Sequence, residues 1–281
     1  MVAFSIELIT RGEKTTKAVI ESALRQTMDS YEIVCFNSSS DSSTAKMLDD
    51  YGIEHIDGNP NVKALEARYR ANSLSDGEFS LLLDSTRPLS PDALEKMQTY
   101  ASESIDMLAF REESIGNGFW INQVRLYKEL TENEQNVKTF SERRASFILP
   151  RLYRQNIIKQ AFSNLKTLIP WDVFRKVSYG EHHIIFEESL KLSSRVSFVG
   201  NEALIFHYED PSFFSIWRKY YYYGSTQKVL KNLQTYNASK LASHRRVVRV
   251  KDLSHEIQCL PIILVRTIPF VLGMLKSTRR S

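Results

Sequence analysis

Leu81-Leu82-Leu83-Asp84-Ser85-Thr86 is an apolar run that ends in an acidic side chain, and this stretch decides the fold. The preceding Gly77-Glu78-Phe79 is typical of a turn into a buried strand, and residues 87–94 are typical of a loop followed by a helix start. Because open α/β sheets bind ligands beyond the carboxyl ends of their strands, Asp84 is a candidate ligand-binding group. It could hold a nucleotide sugar or the divalent cation that bridges its phosphates, or it could only cap the loop.

The composition is that of a globular protein with one large domain, or one domain plus an appendage. The chain has 281 residues, of which 42% are hydrophobic and 25% charged. The net charge of +4 gives no reason to expect a nucleic acid partner, but it permits an anionic membrane surface or a phosphate-bearing ligand. Cys35 and Cys259 have no metal-ligand spacing, and Cys35 is expected to be a free core thiol. The N-terminus leads into a strand-like segment and not into a signal peptide.

Strand-like and helix-like segments alternate along the first part of the chain. The patterns typical of strands lie at residues 3–9, 32–36, 52–56, 78–83 and 105–110. The patterns typical of helices lie at residues 16–26 and 62–74, and around Met47 and Leu48, where Asp41 can cap the helix. This alternation predicts an α/β fold with a mostly parallel sheet and right-handed crossovers.

The second half of the chain has weaker patterns. Residues 112–144 are polar and are interpreted as loops and a helix near the acceptor side. Strands are predicted at residues 147–153 and 203–206, and helices at 156–165, 181–191 and 212–233. No internal repeat occurs.

Several short motifs occur in a defined order. The polar loop 37–41 follows the second strand, Ala67-Arg68-Tyr69 lies in a helix, and residues 77–86 contain the acidic strand end. Gly180-Glu181-His182 opens a later helix, and His207-Tyr208-Glu209 follows an apolar strand. Over roughly residues 3–225, this order resembles the family-two inverting glycosyltransferases, which have the GT-A fold.

The resemblance implies a GT-A-like sheet flanked by helices, with a C-terminal helical appendage. It divides the chain into a catalytic domain over residues 1–210 and a helical tail over residues 211–281. By match to the family's motifs, the residues that bind the donor would be Thr10, Arg11, Asn37, Asp41, Arg68, Asp84, Ser85 and Thr86. Asp84 and His207 would hold Mg²⁺ or Mn²⁺ beside the donor diphosphate.

Three positions depart from the family's pattern. Thr86 replaces the second aspartate of the Asp-x-Asp motif, His182 stands at the usual aspartate of the general base, and Asn37 replaces an acidic residue of the nucleotide loop. Because Mg²⁺ and Mn²⁺ favour oxygen anions, these changes weaken the predicted cation site. The chain could bind metal weakly, complete the site with donor phosphates, or have lost activity.

The general base is predicted at the helix start that follows Gly180. The dipole of that helix favours an anion, which lowers the pKa of a carboxylate there, whereas burial raises it. The sequence leaves open whether Glu181 or His182 is the base, and Glu181 could only cap the helix. Purely structural roles also stay open for His207 as a packing residue and for Arg68 as a solvated charge.

Asp41 has two interpretations. It could pair with Arg68 beneath the nucleotide, or it could be a plain helix cap.

Residues 259–275 form an apolar block that Pro261, Arg266 and Pro269 interrupt, and basic residues flank it. The block is too short and broken to span a bilayer, but it is typical of an amphipathic helix in the membrane interface, from which Arg266 could snorkel to water. The alternatives are a helix packed on the catalytic domain and a dimer interface. The expected location is the cytoplasm, peripheral on the inner face of the cell membrane.

The family resemblance implies a glycosyltransferase, and the C-terminal tail predicts that it is membrane-associated. It would move a sugar from a UDP- or GDP-linked donor to a lipid-linked or glycan acceptor, with inversion. The chemistry needs a neutralised leaving diphosphate, a general base and an in-line arrangement of donor and acceptor. Two other classes stay open. A nucleotidyltransferase would have a glycine-rich first loop, which residues 10–14 resemble only faintly. A degenerate subunit that binds a sugar or nucleotide is suggested by Thr86 and His182.

Overall fold

The computed structural model describes residues 2–101, 104–131, 149–178, 180–231 and 257–278. The strands are β1 (Phe4–Thr10), β2 (Tyr31–Asn37), β3 (Glu54–Asp57), β4 (Phe79–Asp84), β5 (Met107–Phe110), β6 (Glu112–Ile115), β7 (Pro150–Arg154), β8 (Val196–Val199) and β9 (Ile205–Tyr208). The helices are α1 (Thr16–Leu24), α2 (Ser42–Asp50), α3 (Ala64–Asn72), α4 (Ala93–Tyr100), α5 (Phe119–Thr131), α6 (Gln155–Leu168), α7 (Trp171–Phe174), α8 (Glu181–Leu192), α9 (Phe213–Lys231) and α10 (Leu260–Thr278).

Seven of the described strands form one sheet in the order β3-β2-β1-β4-β7-β5-β8, and β6 pairs with β9 in a separate ribbon. The pairs β1–β2, β1–β4, β2–β3 and β5–β8 are parallel. Strand β7 runs antiparallel between β4 and β5. The predicted mostly parallel sheet with flanking helices is therefore confirmed, whereas the antiparallel strand within it was not predicted.

The carboxyl ends of three strands meet at one edge of the sheet. In the parallel register Thr10 is the partner of Asn37, and Ile9 is the partner of Asp84. The polar residues that end these strands therefore lie side by side, at the edge where open α/β sheets bind ligands.

Strands β7 and β9 bring further residues to the same edge. Leu81 of β4 pairs with Leu152 of the antiparallel β7, so Arg151 lies towards the carboxyl end of β4. The backbone N–H of Tyr208 in β9 donates to the carbonyl of Thr86 at 2.9 Å, which fixes the β6–β9 ribbon against the loop after β4.

The apolar run of β4 is buried on both faces. Leu81 and Leu83 pack with residues of α1 and α4 in one core, and Leu82 packs with residues of α6 and α8 in a second core. A strand covered on both faces needs apolar side chains at successive positions, and burying each leucine contributes about 1.5–3 kcal/mol. This burial explains why the run is continuous and why the first polar residue marks the edge of the sheet.

The C-terminal helices α9 and α10 pack closely against each other. The crossing is at Gly224 and Gly273, where an added Cβ would overlap the backbone carbonyls of Phe270 and Tyr221 respectively. α10 also contacts α5, and Cys259 is buried in the cluster between these helices. The division at residues 210 and 211 stays a prediction. Within the described part of the chain, no helix has the length and apolar character needed to cross a bilayer.

The apolar tail forms one continuous helix, α10, although two prolines lie within it. Pro261 lies in the first turn, where its missing N–H costs nothing, and α10 continues through Pro269. The short strands β6 and β8 were not predicted, and residues 132–148, most of which fall in the segment interpreted as loops and a helix, lie outside the described residues.

Candidate active site

A cleft of ≈ 550 Å³ opens beyond the carboxyl ends of β1 and β4. Its walls come from the loops after these strands, the start of β7, the start of α8, and parts of β9 and α9. The predicted site residues that line it are Thr10, Arg11, Asp84, Ser85, Thr86, Glu181, His182 and His207. The fold thus brings together residues that are far apart in sequence, while their roles in catalysis stay predictions.

Three predicted donor-binding residues lie outside the lining of this cleft. The Asn37 side chain donates to Asp57 at 2.8 Å and so ties β2 to β3. Asp41 is exposed and caps α2 by accepting from the Ser43 N–H at 2.9 Å. The predicted pairing of Asp41 with Arg68 is wrong, because Arg68 is fully buried and bonds to other groups.

Arg68 places a positive charge behind the cleft. Its guanidinium donates to the carbonyl of Leu83, lies 3.4 Å from the carbonyl of Glu7, and lies 3.4 Å from Nε2 of His182. Burial lowers the pKa of Arg68 to about 10 although the Asp84 carboxylate opposes that shift, so the group stays protonated at neutral pH. The interpretation of Arg68 as a solvated charge is therefore wrong.

Both carboxylate oxygens of Asp84 have partners. Oδ1 accepts from the backbone N–H of Thr86 at 3.1 Å and from its hydroxyl at 2.5 Å, and Oδ2 pairs with Arg87. Burial alone would raise the pKa of Asp84, but the guanidinium groups of Arg87, Arg151 and Arg68 outweigh it and lower that pKa. Asp84 is thus ionised and already neutralised by protein groups.

Glu112 of β6 joins two of these arginines. Its Oε1 accepts from Nε of Arg87 at 2.8 Å and from Nε of Arg151 at 3.0 Å. Burial would raise the pKa of Glu112, yet Arg87, Arg151 and Lys128 hold it well below its usual range. Glu112 therefore fixes the positions of Arg87 and Arg151, which approach it from the loop after β4 and from β7.

His182 accepts hydrogen bonds from arginine. Its Nε2 lies 2.6 Å from an amino group of Arg151 and 3.4 Å from one of Arg68. A guanidinium can only donate, so this nitrogen carries no proton. Burial and the charges of Arg151 and Arg68 hold the pKa of His182 well below its usual range. The imidazole is neutral, and its one basic nitrogen is occupied.

Glu181 is the first residue of α8 and follows Gly180, whose φ of 81° lies in the left-handed region. Its side chain is only 15% exposed. Burial raises the pKa of Glu181, although Arg68, Arg151 and a backbone hydrogen bond oppose that shift. A carboxylate with a raised pKa that faces a cleft has the character of a general base.

His207 of β9 is hydrogen-bonded to a carboxylate. Its Nδ1 lies 2.9 Å from Oε1 of Glu209, and Lys128 pairs with the same oxygen at 2.7 Å. Burial and Arg87 lower the pKa of His207 although Glu209 opposes that shift. These contacts fix the ring beside the cleft.

Glu13 organises the loop after β1. Its Oε2 accepts from the Ser85 hydroxyl at 2.5 Å, from the Thr10 hydroxyl at 3.1 Å and from the Arg11 N–H at 2.9 Å. The Thr15 hydroxyl donates to the Ser85 carbonyl at 2.6 Å. The loops after β1 and β4 are therefore held together as one wall of the cleft.

The side chains at the predicted metal position do not fit a divalent cation in this arrangement. Thr86 offers a hydroxyl where a carboxylate is needed, and the Arg87 guanidinium pairs with Oδ2 of Asp84, the oxygen that Thr86 does not contact. Among the described residues, no group of three or more His, Cys, Asp or Glu could hold a metal ion.

Sequence reasoning missed several side chains that shape this site. Arg87 lies three residues after Asp84, which ends β4, so its position was a usable signal. Glu112 and Arg151 gave no comparable signal, because a strand pattern does not reveal which strand it pairs with or in which direction. Glu13 was likewise hidden in a short polar turn.

Comparison with known proteins identifies the family. Residues 6–162, which are more than half of the 281-residue chain, match the family described as glycosyl transferase family 2. The chain belongs to this family. Among curated proteins, no sequence matches this family 2 transferase.

Solved structures with the same fold include two of S. aureus TarS. TarS 1–349 in complex with UDP-GlcNAc has a TM-score of 0.57 and 14% identity, over 97% of this chain and 81% of that one. A longer TarS structure has a TM-score of 0.56 and 16% identity over 97% of this chain, which spans only 50% of that chain. At these identities the likeness concerns the fold.

A third structure is that of glucosyl-3-phosphoglycerate synthase from Mycobacterium tuberculosis. It has a TM-score of 0.48 and 15% identity over 82% of this chain and 80% of that one. That protein is in complex with Mn²⁺, UDP and glucosyl-3-phosphoglycerate. The family match confirms the predicted glycosyltransferase family, and the likeness to TarS confirms the predicted GT-A fold.

Proposed function

We propose that this family 2 transferase moves a sugar from a nucleoside diphosphate donor to a hydroxyl group of a lipid-linked or glycan acceptor, with inversion at the anomeric carbon. The observation that carries the proposal is the cleft at the strand ends. It presents a buried carboxylate with a raised pKa, Glu181, together with the guanidinium groups of Arg87 and Arg151.

The donor nucleoside fits the part of the cleft beside β1. Thr10, Arg11 and Ser38 line that part, and Ile9 and Val62 add apolar surface for a base. The diphosphate then extends towards the loop after β4. The complex of TarS with UDP-GlcNAc supports a UDP-sugar as the first donor to examine, and GDP-sugars are the alternative.

Glu181 is the base in this mechanism. Its carboxylate takes the proton of the acceptor hydroxyl while the acceptor oxygen forms a bond to the anomeric carbon and the bond to the diphosphate oxygen breaks. One displacement of this kind inverts the anomeric configuration. His182 is unsuited to the role, because Nε2 already accepts from Arg151 and Nδ1 carries the proton of the neutral ring.

The outer face of α10 supports an acceptor at a membrane surface. Its exposed apolar side chains follow one helix face, and they are Leu260, Leu264, Ile268, Val271, Leu272 and Leu275. Arg266 was predicted to extend to water, but its side chain is half-buried and packs on two aromatic rings. Its guanidinium lies 5.2 Å from the ring centre of Tyr127 and 5.3 Å from that of Tyr220. The charge therefore packs towards the protein, and the opposite face is apolar enough to enter a lipid interface.

A second candidate function is a catalytically weak subunit that binds a nucleotide sugar. Asp84 is neutralised by Arg87, and His182 replaces the family's usual base. These features alone would also suit a protein that binds the donor without transferring the sugar.

Donor turnover separates the two functions. We expect release of UDP or GDP from at least one sugar donor, faster with a lipid-linked acceptor fraction, and a product of inverted anomeric configuration by NMR. Glu181→Gln should lower turnover about 10²–10⁴-fold with little change in donor affinity. Glu187→Gln, on the same helix but outside the cleft lining, is the matched control and should be unaffected. Donor binding without turnover for every donor would favour the binding subunit.

A further inference from the structure

Two arginine side chains face the cleft where the family resemblance places a divalent cation, and a third stands directly behind it. We call Arg68, Arg87 and Arg151 the arginine cluster. Arg87 and Arg151 line the cleft, whereas Arg68 is fully buried and holds the end of β4 through the Leu83 carbonyl. The position that would hold a metal therefore already carries positive charge from the chain itself.

Two carboxylates hold the exposed part of this cluster in place. Asp84 pairs with Arg87, and Glu112 accepts from both Arg87 and Arg151 through the same oxygen. A guanidinium has five N–H donors. The hydrogen bonds of Arg87 to described residues use Nε and one amino group, so its second amino group can donate to a phosphate oxygen.

The charge balance disfavours a cation. Asp84, Glu112 and the Glu181 carboxylate supply three negative charges, and the arginine cluster supplies three positive charges that match them. His182 is neutral because Arg151 donates to its Nε2, so no unmatched negative charge is left to hold a cation. A divalent ion on Asp84 would lie against the Arg87 guanidinium and be repelled. Thr86 adds no negative charge, and its hydroxyl donates to Asp84 at 2.5 Å.

The same groups suit a leaving diphosphate. Arginine binds phosphate oxygens through two parallel N–H donors, and fixed donors aimed at developing charge stabilise a transition state without reorganisation. As the bond from the anomeric carbon to the diphosphate oxygen breaks, the electron pair goes to that oxygen. Its new negative charge then meets Arg87 and Arg151.

We propose that Arg87 and Arg151 neutralise the leaving nucleoside diphosphate in this transferase, so that binding and transfer need no divalent cation. Arg87 and Arg151 act as catalytic residues that touch the leaving group, and Arg68 is a positioning residue behind them. The inference rests on the proposed function, because it assigns the chemistry of the same cleft.

The first test measures binding of UDP and of GDP to the full chain by calorimetry, in EDTA and in excess Mn²⁺ or Mg²⁺. We expect one of the nucleotides to bind with the same affinity in both conditions, and free Mn²⁺, followed by electron paramagnetic resonance, to remain unbound. Binding that needs the cation would overturn the inference and leave the proposed function standing. Absence of binding in both conditions would overturn both.

The second test uses variants of the cluster. Because a charge-assisted hydrogen bond is lost, Arg87→Gln should weaken nucleotide binding about 10–100-fold. Arg87→Lys keeps the charge and should retain part of the affinity if the protein folds. Arg154→Gln is the matched control: this β7 arginine also pairs with a buried carboxylate, Asp106, which keeps Arg195 as a partner. Equal losses in Arg87→Gln and Arg154→Gln would overturn the inference.

The third test rebuilds the family's pattern. The double substitution Thr86→Asp with Arg87→Ser supplies the missing carboxylate and removes the competing guanidinium. We expect this variant to bind Mn²⁺ in the resonance measurement and to bind UDP or GDP only when the cation is present. Nucleotide binding by the double variant that is equally strong in EDTA would contradict the role assigned to Arg87.

Discussion

Glu112 connects most of the charged side chains in the cleft. It is 12% exposed and pairs with Arg87 and Arg151, and His207 lies 3.8 Å from its other oxygen. Because the partners of Glu112 also bind Asp84 and His182, a change at one residue alters the charge balance of the others. Effects of substitutions in this cluster are therefore expected to be non-additive.

Asp84 is expected to be important for stability as well as for transfer. Asp84→Ala removes the partner of a buried arginine, a kind of change that typically costs about 3 kcal/mol in the free energy of unfolding. We therefore expect a lower melting temperature together with lost turnover. The exposed pair of Asp92 with Lys96 supplies the control, and Asp92→Ala should change the melting temperature far less. Near wild-type turnover of Asp84→Ala would show that Asp84 is not needed for transfer.

The pairing of Asp84 with Arg87 also makes the free energy of unfolding depend on pH in a known direction. The pKa of Asp84 is lower in the folded protein than in the unfolded chain, so the unfolded chain binds more protons and stability rises with pH. The contribution is complete above the ordinary aspartate pKa of about 4 and is lost as the pH falls below it. Urea unfolding at several pH values should therefore show the wild type and Asp84→Ala converging in acid. A constant difference down to low pH would contradict the assigned shift.

Glu181 is expected to set the acidic limb of the pH–rate profile. Since burial raises its pKa, kcat/KM should rise with pH through a value above the ordinary glutamate pKa of about 4.3. His182→Gln keeps an acceptor for Arg151 and should preserve this limb with a smaller loss of turnover than Glu181→Gln. If His182→Gln abolishes the limb and Glu181→Gln does not, the histidine is the base.

At the scale of elements, direction and pairing decide which residues meet. Residues 147–153 were correctly predicted to contain a strand, but its antiparallel insertion beside β4 brings Arg151 to the cleft. The strands β1 to β4 were predictable because apolar alternation, intervening helices and a polar strand end agree. Strand β6 was missed because Glu112-Glu113-Ser114-Ile115 is mostly polar, and its partner β9 lies far along the chain.

The crossing of α9 and α10 should depend on glycine. In an ordinary helix a change from glycine to alanine stabilises by about 1 kcal/mol. At Gly224 the added Cβ would overlap the Phe270 carbonyl, so Gly224→Ala should instead destabilise by about 1–3 kcal/mol. Thermal unfolding measures the sign. The control is Thr226→Ala, because the Thr226 hydroxyl donates only to the backbone carbonyl of Tyr223 in the same helix. A stabilised Gly224→Ala variant would show that the two helices do not cross so closely.

At the scale of the whole molecule, the apolar face of α10 and the candidate cleft belong to one chain with a mild positive charge. We expect the protein to co-sediment with anionic vesicles, and less so at high salt. Leu264→Glu with Ile268→Glu should weaken this binding about tenfold or more, because each apolar side chain contributes about 1.5–3 kcal/mol when buried.

The matched control for the vesicle experiment is Leu24→Glu with Leu168→Glu, which adds the same charge at exposed leucines on other helices. This variant should bind vesicles as the wild type does, apart from a small loss that the altered net charge causes. Equal binding by both double variants would indicate that α10 does not enter the interface. If light scattering shows a lower mass for Leu264→Glu with Ile268→Glu but not for the control, the apolar face of α10 is a dimer interface.

The adjacency of Thr86 and Arg87, which both contact Asp84, also restricts how this sequence can evolve. Gaining an aspartate at position 86 first would add a carboxylate that Arg87 neutralises, without opening a cation site. Losing Arg87 first would leave Asp84 and Glu112 each without that partner while position 86 still lacks a carboxylate. In either order, the first single substitution gives a protein with a less favourable site. We therefore expect a change between an arginine-based site and a metal-binding site to need both substitutions at nearly the same time.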